Sequence, residues 1–304
     1  MSSSAQSDHG DEVKRADARS YAKTAGDFAR LTARYSNAVA DHLLDRATLV
    51  PGGRLVDIGT GSGLVAIKAA ARFDDVAVLG IDQSIEMLDQ ARANAEAEGL
   101  AGRVTFQAMD AENLDIEDSS MDLVTSLYVI RHLPNPKKAA AEIFRILKQG
   151  GEAIIASGGP PSLLSVDGLK AGGAKVVDRA MGILGKREVS PNSLRTFLDR
   201  NGIAHTSAHA AHHEGREIGE LLRLAGFSSV RRHWFGQSYA LSPSDFWDVQ
   251  AVFDSEARSR LEPLSDDSVA TLRDCYLETC RSVTQKAGRL IYRTGAQLFI
   301  AKRG

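Results

Sequence analysis

Short apolar runs alternate with amphipathic helical stretches from about residue 54 onward. Between the apolar runs, hydrophobic residues recur at helical spacing, for example Met87, Leu88, Ala91 and Ala95. Ser84 precedes this example and is its predicted N-cap. The apolar runs predict strands at residues 54–59, 77–82, 103–110, 121–129 and 151–157. Strands interleaved with helices in this way predict a parallel, doubly wound α/β sheet.

The pattern loosens after the fifth predicted strand. Residues 158–216 are rich in glycine and small polar residues, and a second helical stretch covers about 236–290, with N-caps predicted at Ser244 and Ser265. We therefore predict a seven-stranded, mostly parallel sheet with two helical cap insertions. The predicted segments are a disordered tail (1–20), a core with N-terminal helices (21–157), a lid insertion (158–216) and the end of the core with its own insertion (217–304). The two insertions are expected to form a lid, and a dimer interface is the alternative.

Composition narrows the class of protein. The chain has 304 residues, 43% of them hydrophobic, and a formal net charge of -2, which gives no broad attraction to nucleic acid or to anionic membranes. The first 20 residues contain no apolar stretch typical of a signal peptide, and no apolar run has the length of a membrane span. Two cysteines, Cys275 and Cys280, are read as core thiols in a reducing compartment. These features predict a soluble cytoplasmic protein, a monomer or a homodimer.

The motif VDIGTGSG is the strongest chemical signal. Gly59, Gly61 and Gly63 lie between a predicted buried strand and a helix, where missing side chains allow a sharp turn and a close approach of backbone N–H groups to a ligand. The spacing differs from the dinucleotide motif G-x-G-x-x-G, because Leu64 stands where that motif has glycine. Asp57 adds negative charge beside the loop, which disfavours a phosphate and suits a ligand with an amino group and a sulfonium.

Two further carboxylates end the next two strands. Asp82 follows the second strand about twenty residues on, where a carboxylate binds ribose hydroxyls in nucleoside-binding folds, and Asp110 ends the third strand, where it can accept a hydrogen bond from an adenine amino group. Three acidic strand ends in register with one glycine loop form a specific constellation for a nucleoside ligand.

Residues 50–160 resemble the class I S-adenosylmethionine-dependent methyltransferases of the Rossmann-like fold, and within them the ubiquinone/menaquinone-biosynthesis C-methyltransferases and their small-molecule relatives. The resemblance is carried by LVDIGTGSG, VLGIDQSIEMLDQA, VTFQAMDAENL, MDLVTSLYVIRHLPNP and EIFRILKQGG. It implies S-adenosylmethionine as cofactor. It also implies a set of cofactor contacts: Asp57, Gly59, Thr60, Gly61, Gly63 and Ser126 at the methionine part, Asp82 at the ribose, and Gln83, Met87, Asp110 and Ala111 at the adenine.

The sequence indicates the residues that contact the methyl acceptor less specifically than those that contact the cofactor. His132 follows the fourth strand, where acceptors lie in this family, and His209, His212 and His213 lie in the run HTSAHAAHHE. Each of these histidines is a candidate general base. The alternative for His132 is a residue at the start of a helix, and the alternative for the other three is a solvated loop. The histidine run fits a metal site less well than either of these, and we predict no metal. Candidate acceptor contacts are Tyr35, Tyr128, Arg131, Tyr239 and Trp247.

The predicted reaction is transfer of a methyl group to a small molecule with an oxygen, carbon or nitrogen nucleophile. Because the two insertions have no counterpart in the shorter quinone methyltransferases, a quinone acceptor does not follow from the resemblance. One alternative is an isomerase or pericyclase that uses the bound sulfonium electrostatically. A nicotinamide-dependent oxidoreductase is the other, and the glycine spacing and Asp110 speak against it.

Overall fold

A computed structural model describes residues 24–159, 193–203, 217–285 and 290–304. The described residues divide into two compact units. The first comprises residues 24–159, 217–235 and 296–304, and the second comprises residues 193–203, 236–285 and 290–295. The described helices are α1 (Ala25–Tyr35), α2 (Asn37–Leu44), α3 (Leu64–Arg72), α4 (Ile85–Ala97), α5 (Pro136–Ile146), α6 (Ser193–Arg200), α7 (Ile218–Ala225), α8 (Pro243–Phe253), α9 (Ser255–Leu261) and α10 (Asp266–Gln285), with a short 3₁₀ helix at Ile130–His132. The strands are β1 (Gly53–Ile58), β2 (Val76–Asp82), β3 (Val104–Ala108), β4 (Met121–Leu127), β5 (Leu147–Gly158), β6 (Ser229–Leu241) and β7 (Leu290–Lys302).

One seven-stranded sheet organises the fold, in the order β3-β2-β1-β4-β5-β7-β6. Strands β1 to β5 pair in parallel, and β7 runs antiparallel to β5. Strands β2 and β3 lie on one side of β1, and β4 and β5 lie on the other. The loops after β1 and β4 therefore leave the same edge of the sheet and flank a topological switch point. The predicted mostly parallel, doubly wound α/β sheet is confirmed.

Helices cover both faces of this sheet in the first unit. Side chains of one strand alternate between the two faces, so Val56 and Ile58 belong to one apolar cluster and Leu55 to the other. Helices α5 and α7 contribute to the cluster of Val56, and α2 and α3 to the cluster of Leu55. Burial on both faces explains why the central strands read as continuous apolar runs rather than as alternating patterns.

Local signals place the helix starts around the site. Ser84 accepts a hydrogen bond from the Met87 N–H at 3.3 Å, and Asn135 accepts one from the Lys138 N–H at 3.1 Å, with Pro136 in the first turn. The cap at Ser84 agrees with the sequence-based expectation.

The structure corrects three details of the sequence-based assignment. Helix α8 is capped by Ser242 and not by Ser244, because Pro243 has a fixed φ and no N–H and so takes the first helical position. Strand β5 begins at Leu147, several residues earlier than predicted, since Leu147 already pairs with Met121. Cys280 is buried as expected, whereas Cys275 is exposed.

The second unit contains α6, α8, α9 and α10, which come from both predicted insertions. A buried amide joins three of these helices: Gln250 accepts from the Leu194 N–H at 3.1 Å and donates to the Tyr276 hydroxyl at 2.9 Å. Trp247 packs beside Tyr276 with ring centroids 5.5 Å apart. The helices of the two insertions thus share one core. The lid role itself stays a prediction, and most of residues 158–216 lie outside the described part.

Arg260 is the centre of an ion-pair network in this unit, and we expect its loss to be costly. Its side chain is only 1% exposed, and its guanidinium pairs with Asp199 and Glu256 at 2.7 Å each. Arg260→Ala is expected to lower the free energy of unfolding by about 2 kcal/mol or more, because it removes a large buried side chain together with its pairs to Asp199 and Glu256. Urea unfolding measures this.

Arg281→Ala is the control, since Arg281 forms a comparable pair with Glu278 at 3.2 Å on the exposed surface. Its cost is expected to stay below about 1 kcal/mol. Equal costs for the two variants would contradict the structural role of the Arg260 network.

Among the described residues, no helix is long and apolar enough to cross a bilayer.

Candidate active site

The loop between β1 and α3 is built on three glycines with left-handed backbone conformations. Gly59, Gly61 and Gly63 have φ values of +67°, +54° and +86°, which L side chains rarely adopt. A Cβ on Gly59 would also lie 2.6 Å from Cγ1 of Val129 and nearer still to Cγ2, and a Cβ on Gly63 would lie 2.9 Å from Cδ1 of Ile67. Conformation therefore requires glycine at all three positions, and at Gly59 and Gly63 the available space requires it as well.

Asp82 joins this loop to the start of α4. Its Oδ2 accepts a hydrogen bond from the Gly61 N–H at 2.9 Å, and its Oδ1 accepts one from the Ser84 N–H at 3.0 Å. The Thr60 N–H donates to the Ile81 carbonyl at 2.8 Å, which fixes the loop against the end of β2. The carboxylate thus organises the glycine loop, and its contact with ribose hydroxyls stays a prediction.

Asp57 lies under the loop and is only 2% exposed. Burial raises the pKa of its carboxyl to about 7, and the nearby charge of Asp82 adds to the rise. The hydrogen bond from the Thr125 hydroxyl, which donates to Oδ1 of Asp57 at 2.8 Å, opposes the rise. A cationic group beside this carboxylate would stabilise its charged form.

The strand register brings the three predicted carboxylates to one edge of the sheet. Ile58 pairs with Ile81, and Asp82 pairs with Ala108, so the carboxyl ends of β1, β2 and β3 are level. Asp110 follows two residues after Ala108, and its Oδ1 accepts a hydrogen bond from the Glu112 N–H at 2.9 Å. This bond forms a turn that holds Asp110 at the same edge.

The other predicted cofactor contacts occupy positions around the loop. Met87 is buried on α4, with its Cε 3.3 Å from where a Cβ on Gly61 would lie. Gln83 is half-buried between β2 and α4, and Ala111 is buried after β3. Ser126 is fully buried, and its hydroxyl donates to the Ile58 carbonyl at 3.0 Å. The Ser126 hydroxyl therefore ties β4 to β1, and its predicted contact with the methionine part stays a prediction.

The acceptor candidates fall into three groups. In the first unit, Tyr35 is buried on α1, Tyr128 is half-buried after β4, and Arg131 and His132 are exposed on the 3₁₀ helix. In the second unit, Trp247 is buried, and the Tyr239 hydroxyl donates to Gln237 at 2.5 Å, with its pKa raised by burial. The third group, His209, His212 and His213, lies outside the described residues, so their metal and base interpretations stay open.

Sequence reasoning missed three residues that shape the loop. Asn94 on α4 donates from Nδ2 to the Ser62 carbonyl at 2.9 Å, Phe28 on α1 approaches Gly61, and Val129 fills the space beside Gly59. Asn94 follows Met87 by seven residues and therefore shares its face of α4, which is a signal that the helical pattern contains. Nothing in the local sequence marks Phe28 or Val129.

Comparison with known proteins identifies the domain. Residues 56–155 match the family described as Methyltransferase domain. This part of the chain is a class I methyltransferase domain. The predicted resemblance to S-adenosylmethionine-dependent methyltransferases is confirmed, and with it the cofactor that such domains use.

Two curated relatives align with this domain. A ubiquinone/menaquinone biosynthesis C-methyltransferase of Geotalea daltonii is 36% identical over 106 residues, which are 34% of this chain and 45% of the relative. A phosphatidylethanolamine N-methyltransferase of Cereibacter sphaeroides is 38% identical over 104 residues, which are 34% of this chain and 50% of the relative. The chain therefore spans about half the length of these relatives, and their acceptors differ from each other.

A solved structure extends the similarity beyond the domain. The YcgJ protein of Bacillus subtilis superposes with a TM-score of 0.53 at 20% identity, covering 87% of this chain and 98% of that protein. At this identity the similarity shows the fold alone.

Proposed function

We propose that this protein transfers a methyl group from S-adenosylmethionine to a small-molecule acceptor with an oxygen, carbon or nitrogen nucleophile. One observation carries the proposal: Asp57, Asp82 and Asp110 surround a left-handed glycine loop at the level carboxyl ends of three parallel strands. Such a site brings three acidic side chains to a loop whose glycines let a ligand approach closely.

The charges of the site favour this cofactor over a dinucleotide. Asp82 would repel a pyrophosphate at the loop, and a pyrophosphate beside Asp57 would hold that carboxyl in its protonated form. A sulfonium and an amino group would instead be stabilised by the same carboxylates. We propose that Asp57 and the glycine loop hold the methionine part, Asp82 the ribose, and Asp110 with Ala111, Gln83 and Met87 the adenine.

The bound cofactor supplies a methyl group already activated by a positive sulfur, so the protein's own part is alignment and exclusion of water. His132 lies on the exposed 3₁₀ helix directly after β4 and is the proposed base for an acceptor that must lose a proton. We propose that Tyr128 and Arg131 contact the acceptor from the same segment.

The ribose assignment is tested by calorimetry with S-adenosylmethionine on Asp82→Ala. The variant removes a charge-assisted contact to the ligand and also frees the Gly61 N–H, so affinity is expected to fall at least thirtyfold, which corresponds to about 2 kcal/mol. Asp89→Ala is the matched control, because Asp89 is an exposed carboxylate paired with Arg92 on α4. Unchanged affinity in Asp82→Ala would exclude the proposed cofactor geometry.

The base assignment is tested by the formation of S-adenosylhomocysteine in the presence of phenols, quinones and terpenoids as acceptors. His132→Ala is expected to lower turnover by roughly a hundredfold and to leave cofactor affinity unchanged. His233→Ala, at an exposed histidine on β6, is the control. Full turnover in His132→Ala would leave alignment as the source of catalysis, and product formed without S-adenosylhomocysteine would indicate a rearrangement instead of a transfer.

A further inference from the structure

Tyr128 has a backbone conformation that its side chain disfavours. Its φ is +64°, and Ser119 with φ +53° is the one other non-glycine residue with positive φ in the described ranges. Left-handed conformations are uncommon outside glycine, asparagine and aspartate, and a bulky residue there is an outlier that its surroundings must enforce. Tyr128 is the first residue after β4, at the edge of the sheet that carries the proposed site.

The turn at Tyr128 locks two neighbouring loops together. The Tyr128 N–H donates to the Ala156 carbonyl at 2.8 Å and so extends the pairing of β4 with β5 by one step. The next residue, Val129, then places its side chain in the space that a Cβ on Gly59 would need. Its carbonyl accepts from the His132 N–H at 2.7 Å, which closes the 3₁₀ turn. The turn after β4 is therefore packed into the loop after β1.

We propose that Tyr128 is a positioning residue whose left-handed turn seats Val129 on Gly59 and thereby sets the shape of the cofactor's methionine pocket. This inference rests on the proposed function, since the pocket it shapes is the proposed cofactor site. Asp82 holds the glycine loop from the β2 side through Gly61, and Val129 holds it from the β4 side. With a right-handed or extended residue at position 128, the chain would leave β4 in another direction and this second support would be lost.

The experiment compares side chains that differ in their tolerance of positive φ. Tyr128→Asn keeps the turn because asparagine adopts the left-handed region readily, whereas the β-branched Tyr128→Val disfavours it. Ser119→Val is the matched control, since it imposes the same backbone change at the other left-handed residue, in the turn before β4. Tyr128→Ala takes the place of Tyr128→Val if that variant does not fold.

Calorimetry with S-adenosylmethionine is the first readout. Tyr128→Val is expected to bind about tenfold more weakly than the unmodified protein, while Tyr128→Asn and Ser119→Val bind within about threefold of it. A lowered melting temperature is expected in all three and does not distinguish them. Equal loss in Tyr128→Val and Tyr128→Asn would assign the effect to the ring and overturn the inference, as would full affinity in Tyr128→Val.

The amide chemical shifts of Gly59 and Gly61 in the cofactor-free protein are the second readout. They are expected to move in Tyr128→Val and to stay in place in Ser119→Val. This measurement needs no ligand, so it tests the positioning role separately from the proposed function. Unmoved glycine amides in Tyr128→Val would contradict the positioning role. Failure of the unmodified protein to bind S-adenosylmethionine would instead contradict the proposed function.

Discussion

Gly59→Ala is expected to weaken cofactor binding roughly a hundredfold. The added Cβ would lie 2.6 Å from Cγ1 of Val129, closer than real carbon contacts, so either the glycine loop or the turn after β4 must move. Overpacking of this kind costs about 3 kcal/mol at its upper range, which corresponds to roughly a hundredfold in affinity if the loop moves. Calorimetry with S-adenosylmethionine measures the loss.

Gly52→Ala is a closely matched control for this variant. Gly52 has a φ of +76°, similar to the +67° of Gly59, but no atom lies within 4 Å of the Cβ position. The two substitutions therefore share the backbone cost and differ in the overlap alone. Gly52→Ala is expected to lower stability by about 1 kcal/mol and to keep full affinity.

Val129→Ala in the Gly59→Ala background provides the rescue. It removes Cγ1 and Cγ2, the two atoms nearest the new Cβ, and is expected to restore part of the affinity. Full binding by Gly59→Ala itself would show that the glycine loop does not hold the cofactor.

The sequence predicted the parts of the site that depend on local spacing. Glycines alternating after a buried strand indicate a tight loop, and an acidic residue at the end of each of the next two predicted strands indicates carboxylates at the same sheet edge. The topology converts these local signals into a common site, because parallel strands in register bring their carboxyl ends to one level. Asp57, Asp82 and Asp110 could therefore be placed together without a structure.

Contacts between distant segments could not be predicted in this way. Val129 meets Gly59 across 70 positions of the sequence, and a valine after a strand has no feature that distinguishes it from any core residue. The left-handed turn at Tyr128 could not be predicted either, because tyrosine rarely adopts a positive φ and its presence predicts an ordinary backbone conformation. The misplaced cap of α8 is different: Pro243 was visible, and its preference for the first helical position indicates Ser242.

The cofactor-free protein is expected to lose stability as the pH rises from about 4 to about 7, and Asp57 is the reason. Its pKa is about 7 in the folded protein, chiefly through burial, against 3.8 for an ordinary aspartate. Between these values the folded state holds one proton more than the unfolded state, so the free energy of unfolding falls with increasing pH. The contribution is fully present below pH 3.8, is lost as the pH rises through about 7, and amounts to roughly 4 kcal/mol.

Asp57→Asn isolates this contribution, because the amide has a similar shape and does not titrate. The difference in unfolding free energy between the unmodified protein and Asp57→Asn is expected to change by that amount between pH 4 and pH 8, as measured by urea unfolding. Asp122→Asn is the contrasting control. Burial raises the pKa of Asp122, but the hydrogen bonds that its carboxylate accepts from the Lys148 ammonium and the Arg54 N–H outweigh burial and lower the pKa, so its contribution is lost as the pH falls. A flat difference for Asp57→Asn would mean that Asp57 is ionised in the folded protein throughout this range.

Cofactor binding should reverse the pH dependence that Asp57 imposes. A cation beside the carboxylate favours its charged form and lowers its pKa, so binding below pH 7 releases a proton and affinity rises by up to about tenfold per pH unit until about pH 7. Calorimetry in two buffers with different ionisation enthalpies counts the released proton directly. S-Adenosylhomocysteine keeps the amino group of S-adenosylmethionine and lacks its sulfonium charge. Equal proton release by both ligands would therefore assign the Asp57 contact to the amino group. Proton release by S-adenosylmethionine alone would assign the contact to the sulfonium. Proton release that persists in Asp57→Asn would show that another group carries the linkage.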